Sequence, residues 1–322
     1  MHRRALLIAT AAIAAASRAS AQEAWPSRPT TIVVPYVPGG PSDILARTLA
    51  QQLQARLGQP FVVENRTGAN GAVAAQYVAR QAPDGATLFV AASGILTINP
   101  LMMPRIGYDS LRDFTPVTIA ISASNLLVVN PSVPASTLPE LIAWLRANPD
   151  RASYGSSGIG SSEHLGMELF TQRTNTRATH VPYQGGGAAV TDLVGGTLQM
   201  ALLNMATVLP QVQAGRLRAI AIGGRARHPL LPEVPTVMEA GVADFTSGSW
   251  HSIVAPRGMA DPLAERIHAE VTAALRTPEV AQRLGATGFA VEAGSRAELT
   301  ATIEGETARW RDVVSRAGLA AG

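Results

Sequence analysis

The 322-residue sequence contains no cysteine and no lysine. Without cysteine there are no disulfides, thiolate metal sites or thiol nucleophile. Without lysine there is no Schiff-base chemistry and no Gly-Lys-Ser/Thr to close a Walker phosphate loop. The nucleophile-elbow pattern Gly-x-Ser-x-Gly is also missing, since neither Ser156 nor Ser157 has glycine two residues away on both sides. The histidines at 164, 180, 228, 251 and 268 never fall at the i, i+4 spacing of a helical zinc pair, so no metal site is expected. No stretch is long and apolar enough to span a bilayer, and there are no heptads or solenoid repeats.

What is there begins with a basic His2-Arg3-Arg4, an apolar run over 5–16 and Ala19-Ser20-Ala21, an A-x-A cleavage signal. Residues 1–21 therefore read as a signal peptide, and the expected product is a soluble periplasmic protein. The paired arginines leave the twin-arginine route open beside the general secretory one. Removing Arg3, Arg4 and Arg18 leaves 23 arginines against 23 acidic residues, a net charge of zero. A neutral surface carries no electrostatic footprint for nucleic acid, and none is expected as a partner.

The chain is organised around 30–58. A β-branched run, Ile32-Val33-Val34, stops at Pro38-Gly39-Gly40, and a helix starts at once with Leu45, Leu49, Leu53 and Leu57 on one stripe. Gly40 as N-cap puts Pro41 at the first helical position and Asp43 in the first turn, opposing the helix dipole. Glycines at a helix start let an anionic oxygen approach free N–H groups, and the same residues also describe an ordinary strand-to-helix turn. A small carboxylate suits this loop better than a triphosphate.

Strands over 60–64 and 87–92, with a helix over 72–81 between them, complete a strand-helix-strand-helix-strand series. That series predicts a parallel sheet with right-handed crossovers and ligands beyond its carboxyl ends, where 38–42 and Ser93 fall. Two further strands, 116–121 and 126–129, flank a domain crossover expected at 122–125. Thr137 to Glu140 is a capping box. The opening logic then recurs: a short strand at 152–154, the turn Gly155-Ser156-Ser157-Gly158-Ile159-Gly160, and Ser161 as N-cap of a helix over 162–172. Later expectations are strands at 179–182, 198–203, 218–222 and 249–255, and helices at 188–194, before 241, from an Asp261 cap to 276, and from a Ser295–Glu298 capping box to about 317. The returning strand at 249–255 divides the chain into lobe 1 (22–122 with 245–322) and lobe 2 (123–244).

Candidate chemistry is sparse. Ser157 with His164 as base and Asp192 orienting it would make an esterase, although a lone histidine after serines more often serves as a cap or hydrogen-bond partner. Arg66 is either a carboxylate clamp or a partner of Glu64. Tyr36 and Tyr183 are candidate pocket walls, and Trp250 reads as hinge packing. Two amide-rich loops facing each other across two αβ domains, without a convincing catalytic set, describe a bilobed solute receptor that closes on an anion.

Six motifs in order also resemble one family. They are Pro38 to Asp43, Val63 to Gly71, Pro83 to Leu88, Tyr154 to Ser161 with His164-Leu165, His180 to Tyr183, and Leu231 to Thr236 with Glu239-Ala240-Gly241. Together they resemble the periplasmic solute-binding proteins of tripartite tricarboxylate transporters, the Bordetella uptake gene or TctC-like type. The resemblance implies a type II, Venus-flytrap α/β fold and a receptor, not an enzyme, that delivers a di- or tricarboxylate or an aromatic acid to membrane permease subunits. It also implies a monomer without cofactor. The contacts it implies are Tyr36, Pro38, Gly39, Gly40 and Ser93 from one lobe, and Ser156, Ser157, Gly158, Gly160, Ser161, Gly185 and Asn204 from the other. Two positions depart from the pattern: Gln184 stands where lysine is common, and the segment around Asn204 lacks an acidic residue. A periplasmic sensor using the same pocket is the alternative.

Overall fold

The computed structural model describes residues 25–103 and 105–319; the expected signal peptide lies outside them. The first unit is β1 (Thr30–Val34), α1 (Pro41–Leu57), β2 (Phe61–Asn65), α2 (Ala72–Ala79) and β3 (Thr87–Ala92), with β1 parallel to both β2 and β3. Strand β1 is apolar on both faces because both are covered. Ile32 and Val34 pack with Leu45, Leu49 and Leu53 of α1, whereas Val33 packs with Ala72, Ala75 and Val78 of α2. Each fully buried leucine of that stripe stabilises the fold by about 1.5–3 kcal/mol relative to exposure. Helix α1 ends where Gly58 turns left-handed (φ 72°) and donates its N–H to the Gln54 carbonyl.

Two short helices, α3 (Ser93–Thr97) and α4 (Asn99–Met102), follow β3 directly; the sequence reading had no helix there. Next comes β4 (Phe114–Val129), 16 residues long. The two strands expected around a break at 122–125 are one continuous strand that changes partners. The polar run Ser122 to Asn125 is satisfied by the neighbouring strand and needs no turn: Ser124 pairs with Gly248, and the Asn125 N–H donates to the Ser247 carbonyl at 3.1 Å.

The second unit contains α5 (Leu138–Ala147), β5 (Ser153–Ser156), α6 (Ser162–Thr174), β6 (Thr179–Pro182), α7 (Gly186–Val194), β7 (Met200–Asn204), α8 (Met205–Gln213) and β8 (Arg218–Ile222). Strands β6 and β7 flank β5 in parallel, and β7 and β8 pair antiparallel with the second half of β4. Strand β9 (Gly248–Pro256) returns antiparallel between β3 and the first half of β4. Parallel strands at both ends are thus joined through the antiparallel pair β9 and β4 into one mixed, curled sheet, in the order β2-β1-β3-β9-β4-β7-β5-β6.

The chain ends with α9 (Asp261–Leu275), α10 (Pro278–Gly285), β10 (Ala290–Val291) and α11 (Arg296–Arg316). Helix α11 straddles the molecule. Leu299 and Ile303 join the core around β3, and Trp310, Val313 and Val314 join the core around β5 and α6. Three local readings are corrected. Ala260, not Asp261, is the N-cap of α9, with Asp261 the first helical residue. The segment before Gly241 is a turn: Thr236 and Glu239 exchange cap-like bonds, but Thr236 also bridges to Ile222, and Gly241 (φ 101°) stops the helix from propagating. Helix α8 was missed because Pro210 lies inside it.

Candidate functional site

A cavity of about 450 Å³ lies between the two units and is lined by residues from the starts of α1, α3, α6, α7 and α8 and by Ser249 and His251 of β9. Nine of the twelve expected contacts lie on its wall: Tyr36, Pro38, Gly39, Gly40, Ser93, Ser157, Ser161, Gly185 and Asn204. Ser156, Gly158 and Gly160 do not.

The loop before α1 is set by Asp43. Its carboxylate accepts the Gly39 N–H at 3.0 Å, Arg47 Nε at 2.8 Å and Asn65 Nδ2 at 3.1 Å. Burial alone would raise the Asp43 pKa, but the bonds from Arg47, Gly39 and Asn65 outweigh it and hold the carboxyl below its usual range. The Gly39 amide is therefore already taken. Ser42 lies in the first turn, where a helix supplies no acceptor for its N–H, and its hydroxyl is buried without a partner.

The loop before α6 is braced from behind. Ser156 is fully buried; its hydroxyl donates to the Gly158 carbonyl, accepts the Gly158 N–H, both at 3.1 Å, and lies 2.7 Å from His180 Nε2. Gly160 donates its N–H to His164 Nδ1 at 3.3 Å. The His164 and His180 rings stack at 3.9 Å, and His180 stacks in turn on Tyr154 at 4.9 Å. Burial, with His180 close by, lowers the His164 pKa to about 3, and burial lowers that of His180 to about 4. Both rings are neutral near pH 7, so they support the loop without charging it. Gly158 (φ 133°) faces a neighbouring space of about 350 Å³ that shares Tyr36, Val37, Ser157 and Gln184 with the first.

At α7, Gly185 is the N-cap, and Gly186, Gly187 and Ala188 reach the cavity. At α8, Asn204 caps the helix by accepting the Ala206 N–H at 3.1 Å while its Nδ2 donates to Ser249 Oγ at 2.8 Å, joining β7 to β9. Helix starts carry partial positive charge. Among the described residues, the wall holds no arginine, so the attraction for an anion comes from amides and hydroxyls.

Arg66 is paired with Glu64 at 2.6 Å and stacked over Tyr77 at 3.6 Å, away from the cavity wall. Trp250 packs in the core around β3. The esterase set is not assembled: Asp192 accepts the Tyr183 hydroxyl at 2.6 Å, and His164 faces Gly160 and His180.

Sequence reasoning placed Ser42 at the ligand end of the sheet but gave it no contact, and it missed Glu163, Thr207, Ser249 and His251. Glu163 could have been found as a first-turn residue of a helix already singled out. Ser249 and His251 carry no local signal, because the register of β9 alone brings them to the wall.

The sequence model of the tripartite tricarboxylate transporter family receptor, TctC, matches residues 45–319. Protein BugT of Bordetella pertussis is 36% identical over 97% of this chain and 95% of its own length. Among solved structures, Rpa4515 of R. palustris with adipate superposes with a TM-score of 0.88 at 37% identity, covering 92% of this chain and 99% of that one. MatC from Rhodopseudomonas palustris with bound malate gives 0.84 at 33% identity, covering 90% and 100%. The match from α1 to the chain's last described residues, with the same curled α/β architecture, means that this chain belongs to the TctC family, the periplasmic solute-binding receptors of tripartite tricarboxylate transporters.

Proposed function

We propose that this protein is a periplasmic receptor, not an enzyme, that binds a small organic carboxylate in the cavity between α1, α6, α7 and α8 and passes it to membrane permease subunits. One observation carries the reading: the cavity wall is built from the starts of five helices, α1, α3, α6, α7 and α8, and contains no arginine. Such a wall attracts anions through fixed dipoles and N–H donors, and it releases them more readily than a bidentate guanidinium clamp would. The relatives solved with adipate and malate support a dicarboxylate.

In this reading 22–122 with 245–322 form one lobe and 123–244 the other, residues 1–21 direct export, and the receptor acts as a monomer. One carboxylate sits at the Gly40 to Ser42 start of α1. Closure brings Ser157, Ser161 and Gly185 onto the ligand from the other side.

The test is a thermal-shift screen of the mature protein, stripped of co-purified ligand, against mono-, di- and tricarboxylates, aromatic acids, amino acids and neutral sugars. A ligand at a hundred times its Kd adds about 2.7 kcal/mol, a shift of about 4 °C for a chain of this size. Shifts confined to certain acids support the reading; shifts with sugars alone overturn it.

A further inference from the structure

The cavity that attracts anions contains a carboxyl group of its own. Glu163, in the first turn of α6, is on the cavity wall and only 8% exposed. Its neighbours are the hydroxyls of Ser157, Ser161 and Ser162, and no arginine or histidine nitrogen among the described residues lies within 4.0 Å of it as a salt-bridge partner. An ionised carboxylate there would repel a bound carboxylate across a space of about 450 Å³. An ammonium group on the ligand would relieve that charge, but it would face the positive ends of the helices that line the cavity.

We propose that Glu163 binds the ligand as a neutral acid, donating its proton to the far carboxylate of a dicarboxylate whose near carboxylate rests on the Gly40 to Ser42 helix start. This rests on the receptor reading above. Binding of the dianion then takes up one proton from solvent whenever Glu163 is ionised in the empty protein, and affinity falls as pH rises.

Two further observations support a ligand at these positions. Ser42 Oγ, at the near end, and His251 Nδ1, on the strand behind, both belong to residues on the cavity wall, are 1% and 4% exposed respectively, and have no partner. The other titratable groups around the cavity do not supply the proton. Burial lowers the His251 pKa to about 4, so its ring is neutral and proton-free at Nδ1 or Nε2 near pH 7. Tyr36, across the cavity, is raised by burial and by Glu163 itself, and stays protonated. His164 beside Glu163 is turned into the stack with His180, and Asp43 behind the first loop is ionised and bonded to Arg47. Burial raises the pKa of Glu163, in the direction the proposal needs.

The experiment is isothermal titration of the mature protein with adipate, L-malate and the monocarboxylate hexanoate between pH 5.5 and 8.5, in two buffers of different ionisation enthalpy. For the dicarboxylate that binds, Kd should rise up to about tenfold per pH unit on the alkaline side, with uptake approaching one proton per ligand. Hexanoate should show no such slope. Glu163→Gln, a permanently neutral donor of similar shape, should remove both slope and proton uptake. A flat wild-type profile without proton uptake, together with a folded Glu163→Ala protein that binds the dicarboxylate as tightly as wild type, overturns the proposal but leaves the receptor reading standing. So does a folded Glu163→Gln protein, verified by its melting curve, that keeps the slope or loses dicarboxylate binding. A flat profile with binding lost in Glu163→Ala and kept in Glu163→Gln supports an acid that is neutral throughout the range. Absence of binding by every acid in the wider screen overturns both.

Discussion

Gly94 and Gly160 meet backbone to backbone across the two units: a methyl group built on Gly94 would stand 3.0 Å from the Gly160 carbonyl oxygen. Gly94 belongs to α3 and lines the cavity beside Ser93; Gly160 ends the loop that presents Ser157 and Ser161. The contact is tight enough that the loop must move if a side chain is added. Asn70 and Asn99 hold the same junction, exchanging bonds of 2.9 and 3.0 Å. Gly94→Ala should therefore weaken ligand binding by about tenfold, or 1.4 kcal/mol, by holding the α6 loop off its seat. Alanine is the better helix former by about 1 kcal/mol, so the melting temperature should change little. Titration calorimetry beside a melting curve checks this, and unchanged affinity would mean that the loop does not have to approach α3 to bind.

Gly39 and Gly40 are adjacent but should respond differently. Gly39 has φ 92°, which strains any L-residue, although nothing lies within 4 Å of its added methyl group. Gly39→Ala should lower stability by about 1–2 kcal/mol through backbone conformation alone. Gly40 is extended (φ −82°, ψ 174°), and an added methyl group meets only the Val37 carbonyl at 4.0 Å. Gly40→Val should therefore fold with near-normal stability and lose ligand binding by at least about tenfold. Denaturation and binding curves on the two variants separate the roles, and normal binding by folded Gly40→Val would remove this helix start from the site.

The contrast between these loops and the rest of the wall shows what sequence can reveal. Gly39, Gly40, Pro41 and the leucine stripe are local signals: turn chemistry, capping and periodicity act over a few residues. Ser161 and Thr137 were legible as caps for the same reason. Continuous β4 was not, because Ser122 to Asn125 look like a linker until β9 supplies their hydrogen-bond partners. Glu163 was passed over because an acid in a first turn ordinarily faces water; here it is buried on the wall of the cavity between the units. The Ser156 hydroxyl reads as a ligand donor, yet His180, from a different strand, sits against it.

Acid should destabilise the protein through two buried imidazoles, His164 and His251, and the half-buried His180. Burial lowers the pKa of His164 to about 3, helped by His180, and that of His180 and His251 to about 4, against an unfolded value of about 6.5. Below pH 6.5 the unfolded chain binds protons that the folded protein refuses, so this contribution is intact above pH 6.5 and is lost progressively as pH falls toward 4. The melting temperature of the mature protein should fall across that window. His180→Gln should flatten part of the fall. An equally steep fall in His180→Gln would assign the acid sensitivity to other groups.

Asn204 combines two tasks that one substitution can separate. Its Oδ1 caps α8 through Ala206, and its Nδ2 donates to Ser249. Asn204→Ala should cost about 1 kcal/mol for the cap and leave a buried serine hydroxyl without its donor. Asn204→Asp keeps a good cap, and the Ser249 hydroxyl can turn to donate to the new carboxylate. Stability should then stay closer to wild type than in the alanine variant, while a negative charge now stands on the cavity wall. If the ligand is an anion within reach of α8, its affinity should fall by more than about tenfold and recover partly at lower pH as the new carboxyl protonates. Chemical denaturation with binding at pH 5.5 and 8 reads both effects. An aspartate variant that binds the acid as well as wild type at pH 8 would place the ligand at the α1 and α6 end of the cavity, clear of β7 and β9.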